Sequence, residues 1–199
     1  RGHDLTAVEK RPSDLWVAGI LYPTEANGPG ERALLALSGC TIHCPGCINK
    51  ALWDKEGSGT RVSAYDLAIA LDSEFGDQKI RLTISGGEPM EQAWGVQALF
   101  GALDLVGRED SDIILFSGYS LHTAADLLAH ISAGIFGPYH HENPAKSGLY
   151  GSTNQKVYYN ELRGRTYNPG YTKKDLENWE TCAEIHTSGT MTGFIEESK

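Results

Sequence analysis

The sequence predicts an α/β fold: a partial (β/α) barrel of about five to six mainly parallel strands, with a short C-terminal β-hairpin appendage. Two observations favour this architecture. Short apolar stretches typical of buried strands alternate with stretches of helical periodicity from residue 33 to residue 136. The chain has 199 residues, whereas a closed eight-stranded barrel usually needs about 250 residues.

The first strand and helix have clear boundaries in the sequence. Residues 33–37 are all Ala or Leu, which predicts a short buried strand. Ser63 is a predicted helix N-cap because Asp66 follows it in the first turn. Apolar residues then recur at helical spacing as far as Phe75, and Gly76 is the predicted stop.

The alternation continues through the middle of the chain. The predicted elements are a strand at 80–85, a helix at 91–106, a strand at 112–116, a helix at 121–130 and a strand at 131–136. Strands that alternate with helices indicate parallel pairing through crossover connections.

The pattern weakens after Gly137. Residues 140–151 predict a polar loop, 155–160 one more strand, and 181–195 a terminal hairpin turning at Ser188-Gly189. We therefore divide the chain into a barrel domain, residues 1–160, and a C-terminal extension, residues 161–199, packing on the same domain.

Composition narrows the possible functions. Hydrophobic residues make up 40% of the chain, charged residues 22%, and the net charge is −9. The negative charge disfavours nucleic acid as a partner, and no apolar run approaches the roughly 18 residues of a membrane span. The first residues do not read as a signal peptide, and clustered cysteines are typical of metal or catalytic sites in a reducing compartment. We therefore expect a cytoplasmic protein.

Three of the four cysteines lie in one loop directly after the first predicted strand. Cys40, Cys44 and Cys47 are soft ligands, which select zinc or iron–sulfur. Three ligands leave one metal position open to a small molecule, whereas a structural zinc site is usually closed by a fourth. The alternative is a zinc site completed by His43 or Cys182, although Cys182 is more simply a small buried residue.

A glycine-rich loop follows the next predicted strand. Ser85, Gly86, Gly87 and Glu88 precede Pro89. Paired glycines let the backbone approach a ligand closely, and a carboxylate beside backbone carbonyls suits an ammonium group. Because the carboxyl ends of parallel strands meet at one edge of a sheet, we expect this loop beside the cysteine loop.

These two loops together resemble the radical S-adenosylmethionine superfamily, in which a CxxxCxxC triplet is combined with a Gly-Gly-Glu-Pro motif. The resemblance is closer to the activating enzymes of the anaerobic, glycyl-radical ribonucleotide reductases. It extends over roughly residues 16–160. Four segments carry it: 27–32, 38–50, 117–119 and 151–155.

The resemblance implies a [4Fe–4S] cluster held by the three thiolates, with one iron free to bind S-adenosylmethionine. Its reductive cleavage gives methionine and a 5′-deoxyadenosyl radical that abstracts a hydrogen atom. By the same resemblance, the residues that bind or line the cofactor are Gly46, Cys47, Ile48, Ser85, Gly86, Gly87, Glu88, Ser117, Tyr119 and Asn154. For Tyr119, core packing is an equal alternative.

The resemblance also implies partners. The protein substrate is a glycyl-radical enzyme, and the electron donor is of the flavodoxin or ferredoxin type. A stand-alone enzyme acting on a small metabolite or peptide is the first alternative, with residues 137–151 and the C-terminal extension building its pocket. The second alternative is a non-catalytic, zinc-stabilised binding module.

The chain departs from the family pattern at several positions. Gly46 precedes the third cysteine, where many superfamily members have an aromatic residue and the activase branch has glycine. Phe136 stands where the activases tend to have Asp, and the loop with His140 and His141 also diverges. The two histidines are most simply solvated, and the alternative is contact with substrate.

Overall fold

The computed structural model describes residues 13–166 and 168–179. Seven strands form one sheet in the order β3-β1-β2-β4-β5-β6-β7. The strands are β1 (Asp14–Thr24), β2 (Arg32–Leu37), β3 (Thr60–Ser63), β4 (Arg81–Gly86), β5 (Asp112–Ser117), β6 (Ala133–Phe136) and β7 (Lys156–Tyr159). The helices are α1 (Ala64–Phe75), α2 (Ala93–Leu105), α3 (Glu161–Thr166) and α4 (Lys173–Glu177), with 3-10 helices at Lys50–Leu52, Pro89–Gln92 and Leu121–Leu127.

The α/β class is confirmed, and the prediction of mainly parallel strands holds for the centre of the sheet only. β2, β4, β5 and β6 pair in parallel, whereas β1, β3 and β7 pair antiparallel at the two sides. The prediction of five to six strands was wrong, because the sheet has seven. The sheet is not closed, and its curvature into a partial barrel stays a prediction.

Two strands, β1 and β3, were missed for a physical reason. β1 contains Gly19 and Pro23, and most of its residues are only half-buried, so it lacks the apolar alternation of a one-sided strand. β3 has four residues, of which Thr60 and Arg61 are exposed. Both elements are strands because β1 has partners on both sides, β2 and β3, which a local pattern does not reveal.

The helix predictions were correct for α1 and α2 and partly wrong for the third. α1 begins after Ser63, whose Oγ accepts a hydrogen bond from the N–H of Asp66. The stretch predicted as a helix at 121–130 forms a 3-10 helix over Leu121–Leu127 only. A short 3-10 segment is sufficient because Ala124 and Leu127 are its buried residues and Leu121 packs beside them while partly buried.

Both faces of the sheet are buried. α1 and α2 cover one face and enclose the larger core, which includes Leu35, Ile84 and Phe100. On the other face, Tyr171 and Leu176 of the C-terminal part pack with Ile114 of β5. The division at residue 160 stays a prediction, and the predicted hairpin at 181–195 and Cys182 lie outside the described residues.

No helix within the described ranges combines the length and apolar character that a membrane crossing requires. The cytoplasmic location stays a prediction.

Candidate functional site

The predicted site loops meet at one edge of the sheet. β2, β4 and β5 are parallel neighbours, so the loops that follow them leave the sheet at the same edge. These are the cysteine loop, the Gly-Gly-Glu loop and the turn containing Ser117 and Tyr119. Ligand sites in open α/β sheets lie at this edge.

The cysteine loop folds into a tight turn between its second and third cysteines. The N–H of Cys47 donates to the carbonyl of Cys44 at 3.1 Å, and Gly46 has a φ of +75°. That φ favours glycine, as expected for a turn of this type. At the start of the loop, the N–H of Cys40 donates to the carbonyl of Trp53 at 3.2 Å.

The three loop thiols are free and half-buried. Burial raises the pKa of the Cys40 thiol, opposed by backbone hydrogen bonds and assisted by the carboxylates of Glu88 and Glu91. In the described part of the chain, no three His, Cys, Asp or Glu side chains are grouped to hold a metal ion. The ring of His43, the alternative zinc ligand, stacks on the ring of Trp53, with 4.3 Å between the ring centroids. Three free thiols on one loop are the type of donor that an iron–sulfur cluster takes, and a cluster would draw them closer together than they lie in this structure.

The glycine-rich loop is bonded directly to the base of the cysteine loop. The N–H of Gly87 donates to Leu37 and that of Glu88 donates to Gly39, both at 2.7 Å. A Cβ on Gly86 would lie 2.5 Å from the Leu37 carbonyl oxygen, and one on Gly87 would collide with the Gly39 carbonyl. Both glycines are therefore required by the close approach of the two backbones.

Glu88 lies in this loop and is only 2% exposed. Its Oε1 accepts hydrogen bonds from the Met90 N–H at 2.8 Å and the Ser117 hydroxyl at 2.7 Å, and its Oε2 accepts one from the Gly118 N–H at 2.7 Å. Burial raises the pKa of the carboxyl despite these three donors. The carboxylate thus joins the β4 and β5 loops, with acceptor capacity left on Oε2.

The turn after β5 contacts both other loops. Ser117 is buried and also accepts a hydrogen bond from the Tyr119 N–H at 3.0 Å. A Cβ on Gly118 would lie 2.6 Å from Cδ1 of Ile42, so the cysteine loop packs against this turn. The Tyr119 hydroxyl is 3.4 Å from Oε1 of Glu91.

The remaining predicted residues are Ser85, Ile48 and Asn154. Ser85 is half-buried in β4, opposite Ala36, and Ile48 is 64% exposed on the surface. Asn154 donates from Nδ2 to the Pro138 carbonyl at 2.7 Å, and its buried Oδ1 has no hydrogen-bond partner among the described residues. Asn154 therefore contacts the loop after β6, and its approach to a cofactor stays a prediction.

Three polar residues that sequence reasoning missed connect these loops. Asn49 donates from Nδ2 to the Gly86 carbonyl at 3.0 Å. Oε1 of Glu91 accepts from both the N–H and the hydroxyl of Thr41, at 2.8 and 2.7 Å. Gln92 accepts from the Trp16 N–H at 2.7 Å and donates to the Ser38 carbonyl at 2.9 Å. Asn49 lies within segment 38–50, which carries the resemblance, whereas the signal for Glu91 and Gln92 was their position shortly after the Gly-Gly-Glu-Pro motif.

Comparison with known proteins identifies the family. A family model described as "4Fe-4S single cluster domain" matches residues 26–158. The anaerobic ribonucleoside-triphosphate reductase-activating protein of Vibrio cholerae is 34% identical over 149 residues, which are 69% of this chain and 94% of the relative. The chain belongs to this activating-protein family. The activating proteins of Haemophilus influenzae and Enterobacteria phage T4 are 32% and 29% identical, over 94% and 92% of their lengths.

Membership of the activating-protein family confirms the resemblance inferred from the motifs. The family match supports an iron–sulfur cluster as the metal group of the cysteine loop. It covers the cysteine loop, the glycine-rich loop and the turn after β5, which are the three loops that the sheet brings to one edge.

Proposed function

We propose that this protein is a radical S-adenosylmethionine enzyme that installs a glycyl radical on a partner enzyme of the anaerobic ribonucleotide reductase type. The observation that carries the proposal is that the Gly-Gly-Glu loop is hydrogen-bonded to the end of β2 and to the start of the cysteine loop. Two backbone hydrogen bonds of 2.7 Å, from Gly87 to Leu37 and from Glu88 to Gly39, hold the loops together.

The cysteine loop would hold the cluster through Cys40, Cys44 and Cys47. When bound, the cluster and S-adenosylmethionine supply a one-electron reductive cleavage to methionine and a 5′-deoxyadenosyl radical. The backbone of Gly86 and Gly87 would bind the amino end of the cofactor beside the thiols. Asn49 keeps the Gly86 carbonyl in place through its 3.0 Å hydrogen bond.

The Glu88 carboxylate would act mainly by holding two of the site loops in place. Its three protein donors fix the distance between the glycine-rich loop and the turn with Ser117 and Gly118. Ser117, Tyr119 and Asn154 would face the nucleoside end of the cofactor. Gly46, Ile48 and Ser85 complete the predicted cofactor surroundings.

The substrate is proposed from the relatives. The relatives are named as activators of anaerobic ribonucleoside-triphosphate reductase, so we propose a glycyl-radical enzyme as partner. A flavodoxin or ferredoxin as electron donor is proposed from the resemblance of the motifs alone. The stand-alone enzyme for a small metabolite or peptide and the zinc-binding module are the alternatives that the experiment must separate.

The test is anaerobic reconstitution with iron and sulfide, followed by addition of S-adenosylmethionine and dithionite. We expect about four irons per chain, release of 5′-deoxyadenosine, and a glycyl-radical signal by electron paramagnetic resonance when anaerobic ribonucleotide reductase is added. Cys44→Ala is expected to lose the cluster, whereas the matched Cys182→Ala variant is expected to keep it.

Each other outcome contradicts part of the proposal. A colourless protein with one zinc would support the binding module. Release of 5′-deoxyadenosine without any radical on the partner would favour the small-molecule enzyme. A cluster that persists in Cys44→Ala would refute the ligand assignment.

A further inference from the structure

The turn between Cys44 and Cys47 is contacted on one side by a segment from another part of the chain. A Cβ built on Gly46 would lie 2.6 Å from Cβ and 3.2 Å from Cγ of His141, and 3.5 Å from Cε1 of Tyr139. The other edge of the Tyr139 ring lies 3.1 Å from the position of a Cβ on Gly151. Gly46 therefore has no room for a side chain on the side where Cβ and the ring of His141 and the ring of Tyr139 lie, and Gly46 itself is still exposed to solvent.

The contacting segment is held in place by the motif at 151–155. Nε2 of Gln155 donates to the Gly137 carbonyl at 2.9 Å, and its Oε1 accepts from the Gly151 N–H at the same distance. The hydroxyl of Ser152, a residue with no exposed surface, accepts from the His140 N–H at 3.0 Å. Asn154 adds its 2.7 Å hydrogen bond to the Pro138 carbonyl.

These contacts distinguish the segment from a free polar loop. Its backbone is hydrogen-bonded at three residues: Gly137 through Gln155, Pro138 through Asn154, and His140 through Ser152. The His141 side chain is 56% exposed, so it lies at the surface beside the cysteine turn. Two side chains held against Gly46 in this way limit how far the turn can open on that side.

We propose that Tyr139 and His141 are positioning residues that cap one side of the Cys44–Cys47 turn and hold its two thiols in place. The inference rests on the proposed function, because it assumes that the turn binds the cluster. It assigns a role to the loop at 137–151 that is independent of any substrate. The contribution is one of packing, so the rings matter and their polar atoms do not.

The test measures loss of iron from the reconstituted protein to a water-soluble iron chelator under anaerobic conditions. In the Tyr139→Ala/His141→Ala variant, we expect iron loss roughly five to ten times faster, the change that corresponds to losing contacts of about one kcal/mol. We also expect a changed electron paramagnetic resonance spectrum of the reduced cluster. The Tyr139→Phe/His141→Phe variant keeps both rings and is expected to behave like the wild type.

His122→Ala is the matched control, since this exposed histidine lies in the 3-10 helix after β5. An unchanged rate and spectrum in the double alanine variant would overturn the cap. A double phenylalanine variant that loses iron as fast as the double alanine variant would also overturn it, because polar chemistry would then be responsible. Absence of iron from the wild type would instead refute the proposed function, and the cap with it.

Discussion

At the scale of single residues, the site depends as much on glycines, which have no side chain, as on the side chains of other residues. Gly86 and Gly87 let the backbone of the β4 loop touch the strand end and the start of the cysteine loop. Glu88 then uses its buried carboxylate to hold the next loop. The two glycines of the motif are therefore required by the fold itself, apart from any role in binding.

Gly87→Ala is expected to destabilise the protein by about 1–3 kcal/mol, since an added methyl group must push the Gly39 backbone away. Gly101→Ala is the matched control. Nothing lies within 4 Å of a Cβ there, and the residue is inside α2, so we expect a gain of up to about 1 kcal/mol. Urea denaturation of the metal-free protein measures both, and equal effects of the two substitutions would contradict the crowding argument.

The buried Glu88 carboxyl also predicts a pH dependence. Its pKa is raised in the folded protein, mainly by burial. The unfolded chain therefore loses this proton first as pH rises, and folding becomes less favourable. From acidic to neutral pH, we expect the unfolding free energy of the wild type to fall relative to that of Glu88→Gln, which does not titrate.

Denaturant titrations of the two proteins across this range provide the check. Glu88→Gln carries a constant penalty because its amide group faces the Gly118 N–H. The test is therefore whether the difference in unfolding free energy between the two proteins changes with pH. A difference that is constant, or that moves the opposite way, contradicts the assignment of the raised pKa.

At the scale of elements, the end of the sheet opposite the site is closed by a buried polar network. Arg32 and Asp112 are both fully buried, and Nη1 of Arg32 lies 3.4 Å from Oδ2 of Asp112. Nε of Arg32 donates to Oγ1 of Thr83 at 2.7 Å. The Tyr171 hydroxyl donates to Oδ1 of Asp112 at 2.7 Å. Burial, with the Asp112 carboxylate, raises the pKa of Tyr171 far above its ordinary range. The C-terminal part is thereby bonded to β5.

Tyr171→Phe is expected to lower the unfolding free energy by about 1–3 kcal/mol, because one oxygen of a buried carboxylate loses its donor. Tyr65→Phe, at a 52% exposed position on α1, is the control and is expected to have little effect. Thermal unfolding of the metal-free variants gives the comparison. An unchanged midpoint for Tyr171→Phe would mean that the network does not hold the C-terminal part.

At the scale of the whole molecule, four parallel strands bring the site loops together and two cores support them. The cysteine loop is attached at its base to β1, the Gly-Gly-Glu loop and the 3-10 helix at Pro89–Gln92. A group that binds only this assembled edge must stabilise the entire sheet.

We therefore expect the cluster-loaded protein to unfold at a higher temperature than the metal-free protein, by on the order of 5–10 °C. Removal of iron by chelation should lower the midpoint to the metal-free value. The Cys44→Ala variant serves as the control, since adding iron and sulfide should not move its midpoint. If the unfolding midpoint of the wild type were the same with and without the cluster, binding at the cysteine loop would not stabilise the rest of the fold.

The sequence by itself determined the parallel centre of the sheet, the cap at Ser63 and the order of the site loops along the chain. Those features depend on local periodicity, on turn residues and on motifs, all of which are visible within a few neighbouring positions. Only the tertiary structure decided that β1 and β3 join the sheet, that Glu88 is held by three donors and that His141 lies against Gly46. Each of these depends on contacts between residues far apart in the chain, which no local pattern encodes.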